Sequence, residues 1–437
     1  MNAINKIVYG TYGIGYGTSL RAGAIEAGGV ASFQKDRASA NEASMIALLG
    51  LFKGSLNLHC LSHTVTHVGE HMIANAIKPF KEDLCALLNA HGGNNKAASH
   101  WFQIFKECWK PPGNTRWWAD LELMTLLYQR FQDLSRFCET AELEGDMERS
   151  VRMQRIVSTM EDPERRSLLK FELGILSIVC DKLVKATYNL EGDNCCSLVA
   201  YDTVVECQEW LNTHTQHLTF PGVSEILSDY VDIIMDGEEE YRGKDRDTLL
   251  DDASDHARQI LSGGVAYFNS TIMGKLSSDI EIFKMCRFAN PIAMRQRVQA
   301  PECIMEFKAA LESLRRFPTE TVNNIVGEWN TYKRILRELP STESEGVFKF
   351  QVQRCMIFWR THYSALPAMS KFARFCMTLA PSSAAAERVF SYLKNSFTVS
   401  QMRQSLEDYT QCSIMLQHNH INAAETHDVL TDDTDVV

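Results

Sequence analysis

From residue 70 to residue 360 the apolar side chains recur every three to four positions, and that period commits the middle of the chain to packed helices. Trp117 to Glu142, Arg165 to Thr187 and Ser197 to Leu218 are its longest runs. Pro111-Pro112-Gly113 separates the first run from what precedes it, and Pro291, Pro301, Pro318 and Pro340 punctuate the later helices. The most apolar stretch, Leu168 to Val184, is interrupted by Lys170, Glu172, Asp181 and Lys182. It therefore reads as a buried helix of a water-soluble core and not as a membrane span, which needs about 18 or more uninterrupted apolar residues. The acidic run within Met235 to His256 reads as a surface connection between helices.

The first 70 residues read differently. Residues 1 to 30 are rich in glycine and small side chains, and YGTYGIGYG contains G-x-G, yet no helix opens after it and no acidic partner comes at the right distance, so a dinucleotide loop is not supported. Ala43, Met45, Ile46, Leu49 and Leu51 have helical spacing, whereas LNLHCLSH at 56–63 suits a short buried strand or its end. Asp36 falls just before that helix, where a strand would finish, a position that often carries function in α/β folds. The chain thus begins as α/β and continues as helices.

Composition narrows the function classes. With 437 residues and 45% hydrophobic content the chain is long enough for two or three globular domains. The net charge of −11 argues against a strong nucleic-acid binder, which needs a basic field to displace counterions, and the basic spots at Arg295/Arg297, Arg315/Arg316, 333–337 and 371–374 are sparse. Thirteen cysteines, an odd and scattered set that includes the vicinal pair Cys195-Cys196, read as reduced thiols. The N-terminus lacks the charged start and apolar core of a signal peptide, so the chain is expected inside the cell.

The densest motif is PSSAAAERVFSYLKNSFTVSQMRQSLEDYTQCSIMLQHN at 381–419. Pro381 and its serines start a helix whose face carries Ala386, Val389, Phe390 and Leu393. Ser383 has Ala386, not Glu387, three residues on, so a capping box does not account for Glu387. A second helix, about 402–418, offers Leu406, Tyr409, Ile414, Met415 and Leu416 for burial against a partner.

This segment resembles the C-terminal signature of hAT-superfamily DNA transposases. The resemblance implies that Glu387, with Arg388 beside it, is the third active-site acid, and that the residues after them serve dimerisation. Met402-Arg403-Gln404-Ser405-Leu406 stands where the family has a more basic sequence. KDRASANEAS at 35–44 resembles the block bearing the second catalytic aspartate, matching Asp36 and Asn41. CLSHTVTHVG at 60–69 resembles the block after it, matching Cys60 and His63 as active-site neighbours. TRWW, with Arg116, Trp117 and Trp118, resembles a motif of the family's helical insertion, where these side chains anchor packing or contact DNA ends. Trp359 and Leu366-Pro367 sit where the family places a tryptophan and a proline. Order and rough spacing agree over residues 30 to 420.

The resemblance implies an α-rich α/β fold: a partial RNase H-like domain interrupted by a large all-helical insertion. Residues 1–70 would form the partial RNase H-like segment, 71–360 the insertion, 361–425 the returning helix and dimerisation segment, and 426–437 an acidic tail. It also implies Mg²⁺ or Mn²⁺ held by Asp36 and Glu387, transposon-end DNA as substrate, a homodimer or higher self-assembly, no membrane, and a nuclear location. In the family chemistry, three carboxylates hold two hard cations that activate a nucleophile and stabilise the leaving oxygen. The 35 residues ahead of Asp36 hold no aspartate and only Glu26 as an acid, so the first carboxylate is absent and DNA cleavage is expected to be lost. A chain that starts earlier and restores that strand, and a non-catalytic protein-interaction module, are the alternatives.

Cys60, His63, His67 and His71 carry a separate expectation. The three histidines share one face of a helix, and C-x-x-H resembles half a zinc site, but no second pair stands nearby and HTVTH lacks the glutamate of H-E-x-x-H. Zinc ligation, core packing and the active-site role implied by the resemblance are all compatible with these residues.

Overall fold

A computed structural model describes residues 32–35, 46, 49, 55–89, 96–109, 119–141, 151–191, 197–237, 245–314, 317–339 and 348–383. Two short strands, β1 (Ser32–Lys35) and β2 (Leu56–His59), pair in parallel with Ser32 opposite Leu56 and Lys35 opposite His59. Ile46 and Leu49, between them, are helical, as a parallel crossover requires. The next helices are α1 (Leu61–Ala74), α2 (Lys78–Leu88), α3 (Lys96–Phe105), α4 (Ala119–Gln129), α5 (Phe131–Ala141), α6 (Val151–Glu161), α7 (Pro163–Glu191) and α8 (Ser197–His217). Then come α9 (Val223–Gly237), α10 (Arg246–Tyr267), which runs on into a π-helical segment (Phe268–Lys275), α11 (Ser277–Cys286) and a 3₁₀ turn (Arg287–Ala289). The last are α12 (Pro291–Arg297), α13 (Glu302–Ser313), α14 (Thr319–Gly327), α15 (Trp329–Glu338), α16 (Phe348–Thr361) and α17 (Pro367–Thr378). The expected helix-rich chain with a small α/β start is present; among the described residues the sheet has two strands, which does not amount to an RNase H-like sheet.

Helix α7 organises the first half. Its 29 residues span about 43 Å at 1.5 Å per residue, and α1, α4, α8 and α9 all pack on it. From Leu173 to Ser177 every side chain is buried, so the helix is covered all round there, and the charges at Lys170, Glu172, Asp181 and Lys182 fall outside that central section. Each large apolar side chain so buried contributes roughly 1.5–3 kcal/mol before ordering entropy is subtracted. Helix α1 also lies against α10, where a Cβ on Gly264 would come 2.7 Å from the Val68 carbonyl and 2.5 Å from Met72. Only glycine permits that approach.

An aromatic core closes the second half. Phe288, Phe307, Trp329, Tyr332, Trp359 and Phe372 are buried together. The polar ends of two of them are satisfied: the Tyr332 hydroxyl donates to the Phe288 carbonyl at 3.0 Å, and the Trp359 indole N–H to the Ala289 carbonyl at 2.7 Å. Helix α17 is started by Pro367 and by Glu328, whose two carboxylate oxygens accept from the Ala368 and Met369 N–H groups at 2.9 and 2.8 Å.

One sequence expectation needs correction. The run from Trp117 to Glu142 is not continuous, because a turn at Arg130 divides it into α4 and α5, with the Arg130 guanidinium held by the Phe105 carbonyl and Asp133. In the acidic segment 235–256, residues 238–244 lie outside the described residues, and the helices on either side extend into the rest of it. Helix α9 runs to Gly237, and Asp245 caps α10 by accepting from Thr248 N–H at 2.7 Å, after which Leu249 and Ala253 bury one face and the acids occupy the wet one. Pro301 and Pro318 stand as N-caps of α13 and α14, and Pro291 as the first residue of α12. Pro340 lies outside the described residues.

Candidate functional site at the strand ends

The carboxyl ends of β1 and β2 lie side by side, the edge of a parallel sheet at which α/β proteins place their sites. Cys60 leaves β2 in extended conformation and caps α1 without a side-chain hydrogen bond to its backbone. The Leu61 N–H, one of the unpaired donors of a helix start, donates instead to the Pro381 carbonyl at 2.8 Å. Around that bond the Ser62 and Ser382 hydroxyls share a hydrogen bond of 2.7 Å, Cys60 Sγ lies 3.2 Å from Ser62 Oγ, and the Ser383 N–H donates to Cys60 Sγ at 3.3 Å. Cys60, Ser62 and Ser382 are buried. Burial raises the Cys60 thiol above its ordinary range against the opposing hydrogen bonds from Ser383 and Ser62, so it stays protonated and is a poor metal ligand.

A second anchor comes from the helical middle. Asp279, in the first turn of α11 and buried, accepts the His59 backbone N–H at 2.7 Å and lies 3.0 Å from the His59 ring, both through Oδ2. Sequence reasoning missed this residue; its only signal is an acid in a helix first turn, which is ordinary.

The histidine face forms as its spacing suggests. His63 Nε2 and His67 Nε2 are 2.8 Å apart, with ring centroids at 4.3 Å and planes at 75°. His67 Nδ1 meets Glu70 Oε2 at 2.5 Å, and this hydrogen bond, outweighing the opposing burial, lowers the Glu70 carboxyl below its usual range. His71 stacks on Tyr267 at 4.4 Å.

Of the candidate residues, Cys60 and His63 are placed at this site. Asp36, Asn41, Arg116, Trp117, Trp118, Glu387 and Arg388 lie outside the described residues, as do Cys195, Cys196, 315–316 and the helix expected at 402–418. Their chain neighbours are informative. Lys35, next to Asp36 in sequence, pairs with His59, while Ser383, in the same short motif as Glu387, bonds to Cys60. Two segments from opposite ends of the chain thus arrive at one strand end.

A family model described as the hAT family C-terminal dimerisation region matches residues 337–421, which include α16, α17 and Pro381–Ser383. A search of curated proteins gives no match. Over these C-terminal residues the chain is similar to the hAT family's dimerisation region, which supports a hAT-type, transposase-related protein.

Proposed function

We propose that these 437 residues act as a transposase-derived protein that pairs with a second copy of itself and does not cut DNA. What carries the proposal is the surface of the matched dimerisation region. Between α16 and α17 an open groove is lined by Met356, Ile357, Arg360, Tyr363, Arg374 and Met377. Ile357 is 62% exposed, Tyr363 51% and Met356 48%. Methionine, tyrosine and arginine are the residues interfaces favour, and a contiguous apolar patch with a basic rim is costly to leave in water. The groove lies within the dimerisation region, so its occupant is a second copy of this chain.

Loss of cleavage rests on the donor set. Asp36 and Glu387 are oxygen donors of the kind Mg²⁺ or Mn²⁺ takes, but two carboxylates do not fit the three-acid, two-ion arrangement of the family chemistry. Transposon-end DNA belongs to the ancestral activity. A nuclear location goes with this proposal. Among the described residues no helix is long and apolar enough to cross a membrane.

Light scattering on the full chain at micromolar concentration should report a dimer. Ile357→Glu combined with Tyr363→Ser should shift it to monomer, whereas Met305→Glu, on the equally exposed face of α13, should not. A strictly monomeric chain removes the self-association. Strand cleavage of family-type DNA ends in Mn²⁺, abolished by Glu387→Ala, overturns the loss of catalysis.

A further inference from the structure

The geometry points to a transition-metal site on α1, formed by His63 and His67 and backed by Glu70, that takes a borderline ion such as Zn²⁺ or Cu²⁺. It is independent of the carboxylate chemistry above, because its donors are imidazole nitrogens.

The two rings are four positions apart on one helix face, and their Nε2 atoms converge to 2.8 Å. With His67 Nδ1–H donated to the Glu70 carboxylate, the Nε2 of His67 presents a lone pair. The hydrogen between the two rings therefore belongs to His63. When an ion takes its place, that hydrogen moves to the other nitrogen of the His63 ring, so both imidazoles stay neutral and both Nε2 lone pairs face the ion. Two nitrogens on a tetrahedral ion at about 2.0–2.1 Å stand roughly 3.3 Å apart, so the rings need to separate by only a few tenths of an ångström.

Glu70 supplies the other half of the arrangement. A carboxylate on the far nitrogen of a ligating histidine fixes its tautomer and raises its basicity, and removing such a partner typically weakens metal binding about 10- to 100-fold. The neighbouring residues exclude other ligands. Cys60 is a buried thiol turned toward Ser382 and Ser383, and His71 is stacked on Tyr267. His63 and His67 are both partly exposed, so water completes the coordination shell. The adjoining cleft carries Glu70, Glu82 and Asp120 against Lys78 and Lys81, which favours a cation, and Lys81 is already paired with Asp120.

Calorimetric titration of the full chain with Zn²⁺, and with Mg²⁺ as the hard-ion control, tests the site. One Zn²⁺ should bind with micromolar affinity and Mg²⁺ should not compete. Binding should fall more than about tenfold in His63→Gln and in His67→Gln, and about 10- to 100-fold in Glu70→Gln. It should be unchanged in His71→Gln and Cys60→Ser. Copper resonance spectra should show two nitrogen ligands in the parent and one in His67→Gln, a readout that does not depend on the variant's stability. Absence of Zn²⁺ binding, or binding that survives His67→Gln, overturns the site. Neither result bears on the dimer, which is read by light scattering.

Discussion

Ser62 and Ser382 share a hydrogen bond of 2.7 Å across 320 positions of sequence, both of them buried. One comes just after the end of β2 and the other opens the motif that closes the dimerisation region's described part. The contact is a direct link between the first 70 residues and the segment that follows α17, and it is made with the Leu61–Pro381 backbone bond beside it. A buried hydroxyl that loses its short bond and keeps a weaker sulfur contact, here to Cys60, is costly by about 1–3 kcal/mol at most, whereas removing both hydroxyls leaves neither one short of its partner. Ser382→Ala should therefore destabilise the chain by roughly 1–2 kcal/mol, and Ser62→Ala by a similar amount. The double variant should lose clearly less than their sum. Urea unfolding of all four forms measures the coupling; strict additivity would mean the two hydroxyls do not depend on each other.

Thiol chemistry reads the packing independently. Burial pushes Cys138 and Cys207 up to about 12 and Cys85, less deeply placed, to about 11. Cys180, fully enclosed in α7, goes further in the same direction. Since the thiolate is the reactive form, all four should resist alkylation in the native state. Among the described cysteines, Cys108, on the exposed end after α3, should be modified first. Mass spectrometry after a short iodoacetamide pulse at pH 8 reads this order directly. Early loss of the Cys180 thiol would contradict the buried course of α7.

Periodicity reached the helices because burial is what imposes the period. Leu183, Ala186 and Leu190 are covered on the α7 side that meets its neighbours while Asp181, Lys185 and Tyr188 are exposed, and the three-to-four spacing records it. The turn at Arg130 was illegible, since the apolar spacing continues through Phe131 and Leu134 and the break depends on a guanidinium reaching the Phe105 carbonyl. The start of α10 was illegible for a related reason: Asp245 belongs to an acidic run, and its bond from the Thr248 N–H is what marks it as the cap of a helix whose other face is apolar. At the strand end, the motif drew attention to Cys60 and His63, which lie at the cap and in the first turn of α1. Asp279 was not, because its role exists only once α11 is folded against β2, 220 positions away in sequence.

The Glu70–His67 pair gives a pH signature with a definite sign. The folded Glu70 carboxyl is lowered, first by the hydrogen bond from His67, so its contribution is fully present above the ordinary glutamate range near pH 4.3 and is lost as pH falls through the folded value. Glu70→Gln should thus be less stable than the parent at pH 6–7. Because the side chain is 45% exposed, water screens the pair and the difference should stay below about 1 kcal/mol. The two proteins should converge only in acid below the lowered Glu70 value, where both carry a neutral side chain. Thermal unfolding from pH 3 to pH 7 measures the gap. A gap that widens in acid would have the wrong sign for a lowered carboxylate.

Glu328 controls the helix that delivers Pro381 to the site. It stands at the junction of α14 and α15, and its two oxygens cap successive N–H groups of α17, where a negative charge is also favoured by the helix dipole. Charge-assisted bonds of this kind are stronger than neutral ones, and loss of an N-cap costs about 0.5–2 kcal/mol. Glu328→Ala leaves the Ala368 and Met369 amides unpaired beside Leu366, which is fully buried, so the cost should fall toward the upper end of that range. Amide hydrogen exchange should quicken over residues 368–376, while α7 keeps its protection. Glu328→Gln retains one acceptor oxygen and should recover part of the protection. Since α16 packs on α17, the first helix turn and the α16–α17 groove should loosen together, and the dimer should weaken in step with the exchange rates. Faster exchange with an unchanged dimer would separate the groove from the helix start and place the partner contact elsewhere in the matched region.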